Sequence, residues 1–347
     1  MTGGSAPARG PEAEGRRWSS WSPAGPAISG PPTPRRPPLG GTGPRHPTAR
    51  APARGGPEPV IAARQATRAG LPWRAIDGDV GDAAWLVDAA RGCEAICHAA
   101  AKVEILGRRA DFDRVNVGGL RHALAAVATL GLRRLVYTSS FLATTPAGEP
   151  PLRRTNDYQR TKAAAAQVAA DAGAAGVPIV TVSPGVILGP GAPTAGNLAS
   201  GLLRNHLRGR LPATVGARRT WSFSFVDDVA MGHVLALERG RPGACYGLGG
   251  PNLPQMAMFE WVRARRRTRL PLDLPPALAR AAGALDEWRG RAFGGVPRLT
   301  RGTVEILLRD WPVDSGAAER DLGYRITPFE EAMTRTLAAV ERGAGVA

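Results

Sequence analysis

Lysine is almost missing from this chain. Of its 45 basic residues only Lys102 and Lys162 are lysine. A lysine that persists against such a bias points to a position suited to a compact charge with three rotatable donors rather than a planar fork. Cysteine is scarce as well, with Cys93, Cys97 and Cys245 alone. Three thiols make no disulfide framework, and the expectation is a reduced, cytoplasmic protein. Cys93 and Cys97 lie four apart, but no His/Cys cluster completes a metal site, so no metal is expected. The N-terminus lacks an apolar signal core, and no run is long and apolar enough to cross a bilayer, so no membrane partner is expected either. Aromatic residues are few, at 5%, and no zinc-finger or aromatic RNA-binding signature occurs. The net charge of +16 is therefore not read as nucleic-acid binding: the arginines are scattered. The one dense run, from Arg263 to Arg269, reads as a solvated helix end before Pro271.

Residues 1–57 lack almost all Val, Ile and Leu and are rich in Pro, Gly, Ala and Arg. Such a segment cannot bury enough apolar surface to offset its ordering entropy, and it is expected to be disordered or aberrant. Patterning begins near Pro59. Strands are predicted at 60–63, 73–76, 94–98, 134–137, 177–182, 221–226 and 246–248. They alternate with helices at 82–91, 111–130, 158–175, 197–207 and 227–238. Further helices are predicted around 254–267, 275–290, 300–309, 314–322 and 328–341. A hydrophobic content of 43% supports a sizeable core. Alternating strands and helices imply βαβ units, and so an α/β fold with a doubly wound parallel sheet. Small and polar residues cluster just after strand ends, at Asp79, His98, Ser139, Ser140, Pro184 and Gly185. In open α/β sheets that edge binds ligands.

Lys162 follows Tyr158 by four residues, which places both side chains on one helix face. A free phenol has a pKa near 10 and shuttles protons poorly at neutral pH; a neighbouring ammonium would lower it. A serine hydroxyl from the preceding strand end could hold a carbonyl or alcohol in line with the phenol. Of the two adjacent serines, Ser140 is preferred to Ser139. Such a set moves a proton while a nicotinamide moves a hydride.

Eight ordered matches carry a family resemblance: Asp77-Gly78-Asp79-Val80, the run from Gly92 to Ala100, Val115-Asn116-Val117, Val136-Tyr137-Thr138-Ser139-Ser140, the run from Asn156 to Lys162, the run from Ser183 to Gly191, the run from Phe225 to Ala230, and Asp321-Leu322-Gly323-Tyr324. From about 59 to 343 the chain resembles an extended short-chain dehydrogenase/reductase, and within it the NAD-dependent epimerase/dehydratase family and its dihydroflavonol reductase-like group. The resemblance implies a Rossmann domain over 58–250, with a substrate-lobe insertion at about 190–222, and a small C-terminal substrate lobe over 251–343. It implies Ser140, Tyr158 and Lys162 as the catalytic set, with Lys162 also holding the nicotinamide ribose. Asp79 and Val80 would contact the adenine, Ala99 and Ala100 would lie along the cofactor, and Pro184, Gly185 and Val186 would flank the nicotinamide. Arg64 falls where NAD users often carry an acid; an arginine there suits a 2′-phosphate, so NADP is expected, with NAD the alternative.

The chain departs from the family at its start. A Gly-rich turn after the first strand should cradle the pyrophosphate. Here Thr2-Gly3-Gly4-Ser5 begins such a turn, but Ala6-Pro7-Ala8-Arg9 follows, and the first βα unit reads as missing. Two explanations stand: a frame disruption in the gene between about codons 6 and 57, or a genuine extension that replaced the unit. The expected activity is hydride transfer between a nicotinamide and a small-molecule secondary alcohol or ketone, its substrate chosen by the C-terminal lobe and the 142–155 loop. The alternatives are a nucleotide-sugar epimerase/dehydratase and a pseudoenzyme impaired in cofactor binding. A homodimer is compatible with the resemblance.

Overall fold

A computed structural model of the chain describes residues 17–19, 58–70, 72–104, 107–145, 150, 156–191, 197–294, 297 and 299–344. Most of the N-terminal segment and much of the 142–155 loop therefore lie outside the described residues. The strands are, in chain order, β1 (Arg17–Ser19), β2 (Glu58–Ala63), β3 (Arg74–Asp77), β4 (Ala95–His98), β5 (Arg134–Thr138), β6 (Ile179–Pro184), β7 (Val186–Leu188), β8 (Ala213–Val215), β9 (Thr220–Phe225), β10 (Cys245–Leu248), β11 (Asn252–Pro254) and β12 (Leu272–Leu274). The α-helices are α1 (Ala83–Ala90), α2 (Arg109–Phe112), α3 (Gly119–Leu130), α4 (Asp157–Ala174), α5 (Leu198–Leu207), α6 (Val226–Arg239), α7 (Ala257–Arg263), α8 (Pro276–Phe293), α9 (Arg301–Leu307), α10 (Gly316–Leu322) and α11 (Phe329–Ala344).

Seven strands form one parallel sheet in the order β10-β6-β5-β4-β1-β2-β3. The inner strands read as apolar runs because helices cover both faces. Leu135, Val136, Val180 and Val182 are fully buried. Val136, Val180 and Val182 pack under α6 and α10, while Leu135 and Ile179 pack under α1, α3 and α4. Local signals set the helix ends. The Asp82 side chain caps α1 by accepting from Trp85 N, and Gly131 ends α3 in the left-handed region at φ 63°.

Two departures from the sequence-based expectation are informative. The central slot of the sheet is filled by β1, three residues of Arg-Trp-Ser that carry no apolar strand pattern. An extended segment between two parallel edges is held by its backbone, so side-chain patterning is not required there. No helix following β1 lies among the described residues. The predicted helix over 111–130 is interrupted by a π-helical stretch at Asp113–Gly118. There Asn116 turns its side chain to partners outside the helix, and the Gly118-Gly119 pair follows.

Beside the main sheet lies a second body. Its sheet has the order β11-β9-β7, with β7 parallel and β11 antiparallel to β9, and a two-stranded pair joins β12 and β8. Trp221, Phe223, Phe225, Phe259, Trp311 and Met333 form its core with α5, α7 and α11. Strands β7, β8, β11 and β12 are three residues each, too short to show period-two alternation, and only β9 is legible beforehand. Asp228 in the first turn of α6 ties this region to the start of α11, accepting from Thr327 N (2.7 Å) and Thr327 Oγ1 (2.8 Å). Among the described residues no helix is long and apolar enough to cross a membrane.

Candidate active site

The C-terminal edge of the parallel sheet gathers most of the residues singled out from sequence. Ser139 continues the β5 ladder, its N–H donating to Val182 O at 2.8 Å. Ser140 follows in extended conformation and caps a short turn, with Oγ accepting from Leu142 N at 3.2 Å. Helix α4 starts at an Asn156 cap whose Oδ1 accepts from Gln159 N (2.8 Å), and its inner face presents Tyr158 and Lys162 to this strand end. The Ser140 hydroxyl lies close enough to the Tyr158 phenol to act on its proton affinity. The Lys162 ammonium donates to the Thr138 carbonyl at 2.7 Å and lies 5.2 Å from the centre of the Tyr137 ring. The structure therefore brings Ser140, Tyr158 and Lys162 to one sheet edge.

The electrostatics differ from the sequence-based expectation in one respect. The spacing predicts a phenol lowered by the neighbouring ammonium. Instead burial pushes the Tyr158 pKa up, with the neighbouring Ser140 hydroxyl opposing it only in part. Lys162 is 2% exposed, and burial brings its pKa down to about 7. Its hydrogen bond runs to a backbone carbonyl, not to the phenol. Desolvation disfavours the charged form of each group, and it is the dominant cause of both shifts.

Three supporting residues escaped the sequence reading. Asn116 is 2% exposed. Its Oδ1 accepts from Lys102 N (2.7 Å), and its Nδ2 donates to Lys102 O (3.2 Å) and Thr161 Oγ1 (2.8 Å). It thus joins the segment after β4 to α4, one residue before Lys162. The Val115-Asn116-Val117 match was its only signal. Arg160 holds α4 to the π-helical stretch through a forked pair with Asp113, at 2.7 and 3.0 Å. His233 of α6 donates from Nδ1 to Val229 O at 2.7 Å, which leaves Nε2 to accept from Thr138 Oγ1 at 2.7 Å. The residue whose carbonyl receives Lys162 is thereby fixed from the far side of the sheet.

The remaining candidates lie along the same edge. Asp79 and Val80 follow β3, and Arg64 follows β2, exposed. Burial alone would raise the Asp79 carboxyl, but a forked pair with Arg114 (3.0 and 3.1 Å), the Gly81 N–H and nearby Arg64 hold it below the usual carboxylate range. Val80, Ala99 and Ala100 line one cavity of about 30 Å³, together with His98, between β2 and β4 at the point where strand order reverses. His98 is buried, and its Nε2 has no hydrogen-bond partner among the described residues; burial, then the charges of Lys162 and His122, bring its pKa down to about 3. Pro184, Gly185 and Val186 are buried at the end of β6. Gly185 donates to Ser224 Oγ at 3.0 Å, and a Cβ there would stand 2.5 Å from Ser222 O. A wall of aromatic rings starts next to Ser140: Phe141 lies 5.8 Å from Trp221 and 6.0 Å from Trp311 between centroids. A second cavity, about 390 Å³, opens in the C-terminal region between Arg218, Arg219, Asp273 and Leu308.

These residues suit a nicotinamide dinucleotide at both ends: buried Lys162, the Ser140 and Tyr158 hydroxyls and a glycine approach at one, and a carboxylate, a buried imidazole and an exposed arginine at the other. A glycine-rich turn for the pyrophosphate is not among the described residues.

Comparison with known proteins agrees. Sterol demethylase protein B of Methylococcus capsulatus is 29% identical over 293 residues, covering 79% of this chain and 88% of that protein. The 2-alkyl-3-oxoalkanoate reductase of Stenotrophomonas maltophilia is 29% identical over 269 residues, covering 72% and 81%. Among solved structures, MoeE5 in complex with UDP-glucuronic acid and NAD superposes with a TM-score of 0.65 at 21% identity, covering 84% of this chain and 93% of that one, and so shares the fold. A family model described as NAD dependent epimerase/dehydratase matches residues 45–249, more than half of the chain. The chain belongs to the NAD dependent epimerase/dehydratase family, within the extended short-chain dehydrogenases/reductases.

Proposed function

We propose that the protein is an NADP(H)-preferring oxidoreductase that reduces a ketone to a secondary alcohol, and runs the reverse reaction at higher pH. The observation that carries this reading is the Ser140–Tyr158 hydroxyl pair beside a buried Lys162 at the ligand-binding edge of the sheet. Tyr158 supplies the proton to the substrate oxygen, and Ser140 orients that oxygen. A phenol whose pKa is raised by burial stays protonated at neutral pH, which suits the acid needed for reduction. Lys162 holds the nicotinamide ribose and offsets the charge left on Tyr158. The bound nicotinamide supplies the hydride. Asp79 and Val80 hold the adenine, Ala99 and Ala100 line the cofactor path, and Pro184, Gly185 and Val186 flank the nicotinamide ring. Arg64 faces the 2′-phosphate.

The Phe141–Trp221–Trp311 wall supports a substrate with an apolar body. The reductase among the relatives supports the same direction of chemistry. A second reading, a nucleotide-sugar epimerase/dehydratase, rests on the cavity bearing Arg218 and Arg219, whose guanidinium groups suit a diphosphate. One screen separates the two: purified protein is offered ketones with NADPH or NADH, and the cofactor it retains through purification is measured. Ketone-dependent NADPH oxidation that falls about a hundredfold or more in Tyr158→Phe supports the oxidoreductase. Retained cofactor with no net turnover supports the epimerase/dehydratase.

A further inference from the structure

Helix α8 is apolar on two opposite faces. One face is small and buried: Ala279 is fully buried and Gly283 lies against Thr300, Arg301 and Val304 of α9. On the other side, Leu278, Leu285 and Trp288 are 59%, 63% and 58% exposed. At 100° per residue these three fall with Ala281 and Ala292 into one stripe, turned about half a revolution from Ala279. Phe293, 76% exposed, closes the stripe, its ring edge-on to Trp288 at 5.9 Å. Nothing in the oxidoreductase chemistry uses this stripe.

The charges on α8 are sorted. Both acids turn toward α9: Asp286 accepts from Leu299 N (2.9 Å), and Glu287 accepts from Arg301 N (2.7 Å) and Arg301 Nε (3.0 Å). Of the arginines bordering the stripe, Arg291 is exposed, while Arg280 forks onto Glu305 of α9 (2.7 and 3.3 Å) and Arg289 pairs with Asp286 (2.6 Å). A helix with a large apolar strip containing Trp and Phe, edged by arginine and without outward acids, has the make-up of one lying in the plane of a membrane interface. We propose that α8 docks the protein on an anionic lipid surface, with Leu278, Leu285, Trp288 and Phe293 below the headgroups and Arg291 among the phosphates.

Charge selects this occupant over two others. Two copies of the chain, each with a net charge of +16, would repel one another across such a contact. Residues 1–57 are themselves rich in arginine and poor in large apolar side chains. A net charge of +16 adds long-range attraction to an anionic surface. The sequence-based expectation of no membrane partner concerned spanning segments; a helix lying in the interface need not span.

The test is sedimentation of the full chain with vesicles of equal parts phosphatidylglycerol and phosphatidylcholine, and with phosphatidylcholine vesicles, at about 0.15 M salt. Retention on the anionic vesicles should exceed that on the zwitterionic ones at least about tenfold. Leu285→Ser with Trp288→Ser leaves every charge in place and should lower retention about tenfold, with an unchanged far-UV circular dichroism spectrum. Leu285→Gln alone should lower it in the same direction, and Arg291→Glu about fivefold. Equal retention of the wild type and the double-serine variant would mean adsorption by general positive charge and would overturn the proposal. So would absence of retention, or a dimer that the double-serine variant dissociates while vesicles hold neither protein.

Discussion

Replacing Lys162 by methionine should make the protein more stable below neutral pH while abolishing its activity. The ammonium is 2% exposed and has the Thr138 carbonyl for a partner at 2.7 Å. Its pKa falls from an ordinary 10.5 to about 7. Between those values the unfolded chain binds the proton and the folded chain does not, so stability rises with pH across that window. The gain is complete above about pH 10.5 and is lost as pH falls through about 7. At 1.36 kcal/mol per pH unit, the full span is about 5 kcal/mol. Methionine keeps the straight stem without the charge, so it removes this penalty, less about 1 kcal/mol for the lost hydrogen bond. An advantage of about 2–4 kcal/mol is expected near pH 6, or roughly 5–15 °C in melting midpoint. Near pH 10 the advantage should vanish or reverse. Thermal unfolding followed by circular dichroism, for both proteins across this range, measures the difference with the contributions of all other titrating groups cancelled. A difference that does not change with pH, or a methionine variant less stable at pH 6, would refute the reasoning. The stability sacrificed at this position is what a charged site in a dry edge costs.

Further outcomes are expected elsewhere. Gly185→Ala places a Cβ 2.5 Å from the Ser222 carbonyl oxygen and should cost about 1–3 kcal/mol, read as a lower urea midpoint. Asp228→Ala leaves the Thr327 N–H and hydroxyl without their carboxylate and should cost a similar 1–3 kcal/mol, roughly, with faster limited proteolysis ahead of α11. Arg64→Glu should weaken NADPH about tenfold in a fluorescence titration and leave NADH almost unchanged; equal losses for both would remove Arg64 from the 2′-phosphate. The rate of alcohol oxidation should climb with pH above neutral, since the raised Tyr158 pKa keeps the base form scarce; a flat profile would count against the phenol as proton carrier.

The sheet was legible because its strands are buried on both faces and end in small polar residues, a signature that survives in a single sequence. Helix ends were legible where one residue type does the work, as at Asp82, Gly131 and Asn197. That the Ser139-Ser140 strand end, Tyr158 and Lys162 lie at one sheet edge was legible in helical spacing and strand order. The direction of the Tyr158 shift did not, because it depends on how much water the fold removes, which spacing does not reveal. The partnership of Thr138 with His233, 95 residues apart, left no local pattern. Strand β1 escaped because its pairing is through backbone groups, and Asn116 because a buried side chain within a distorted helix looks like any polar residue on a helix surface.

The shortness of β1 has a mechanical consequence. Among the described residues it pairs with β2 through three residues and with β4 through the single pair Ser19 and Ile96. The main sheet is thus two plates joined along a narrow seam: β2 and β3 on one side, and β4, β5, β6 and β10 on the other. Amide exchange should divide along it, with β2 and β3 opening in a faster, separate unit than the fully buried β5 and β6. Asp79, Val80 and Arg64 ride on one plate, and Ser140, Tyr158 and Lys162 on the other. A dinucleotide bound to both would act as a splint, and its binding should be visible as a merging of the two exchange rates into one.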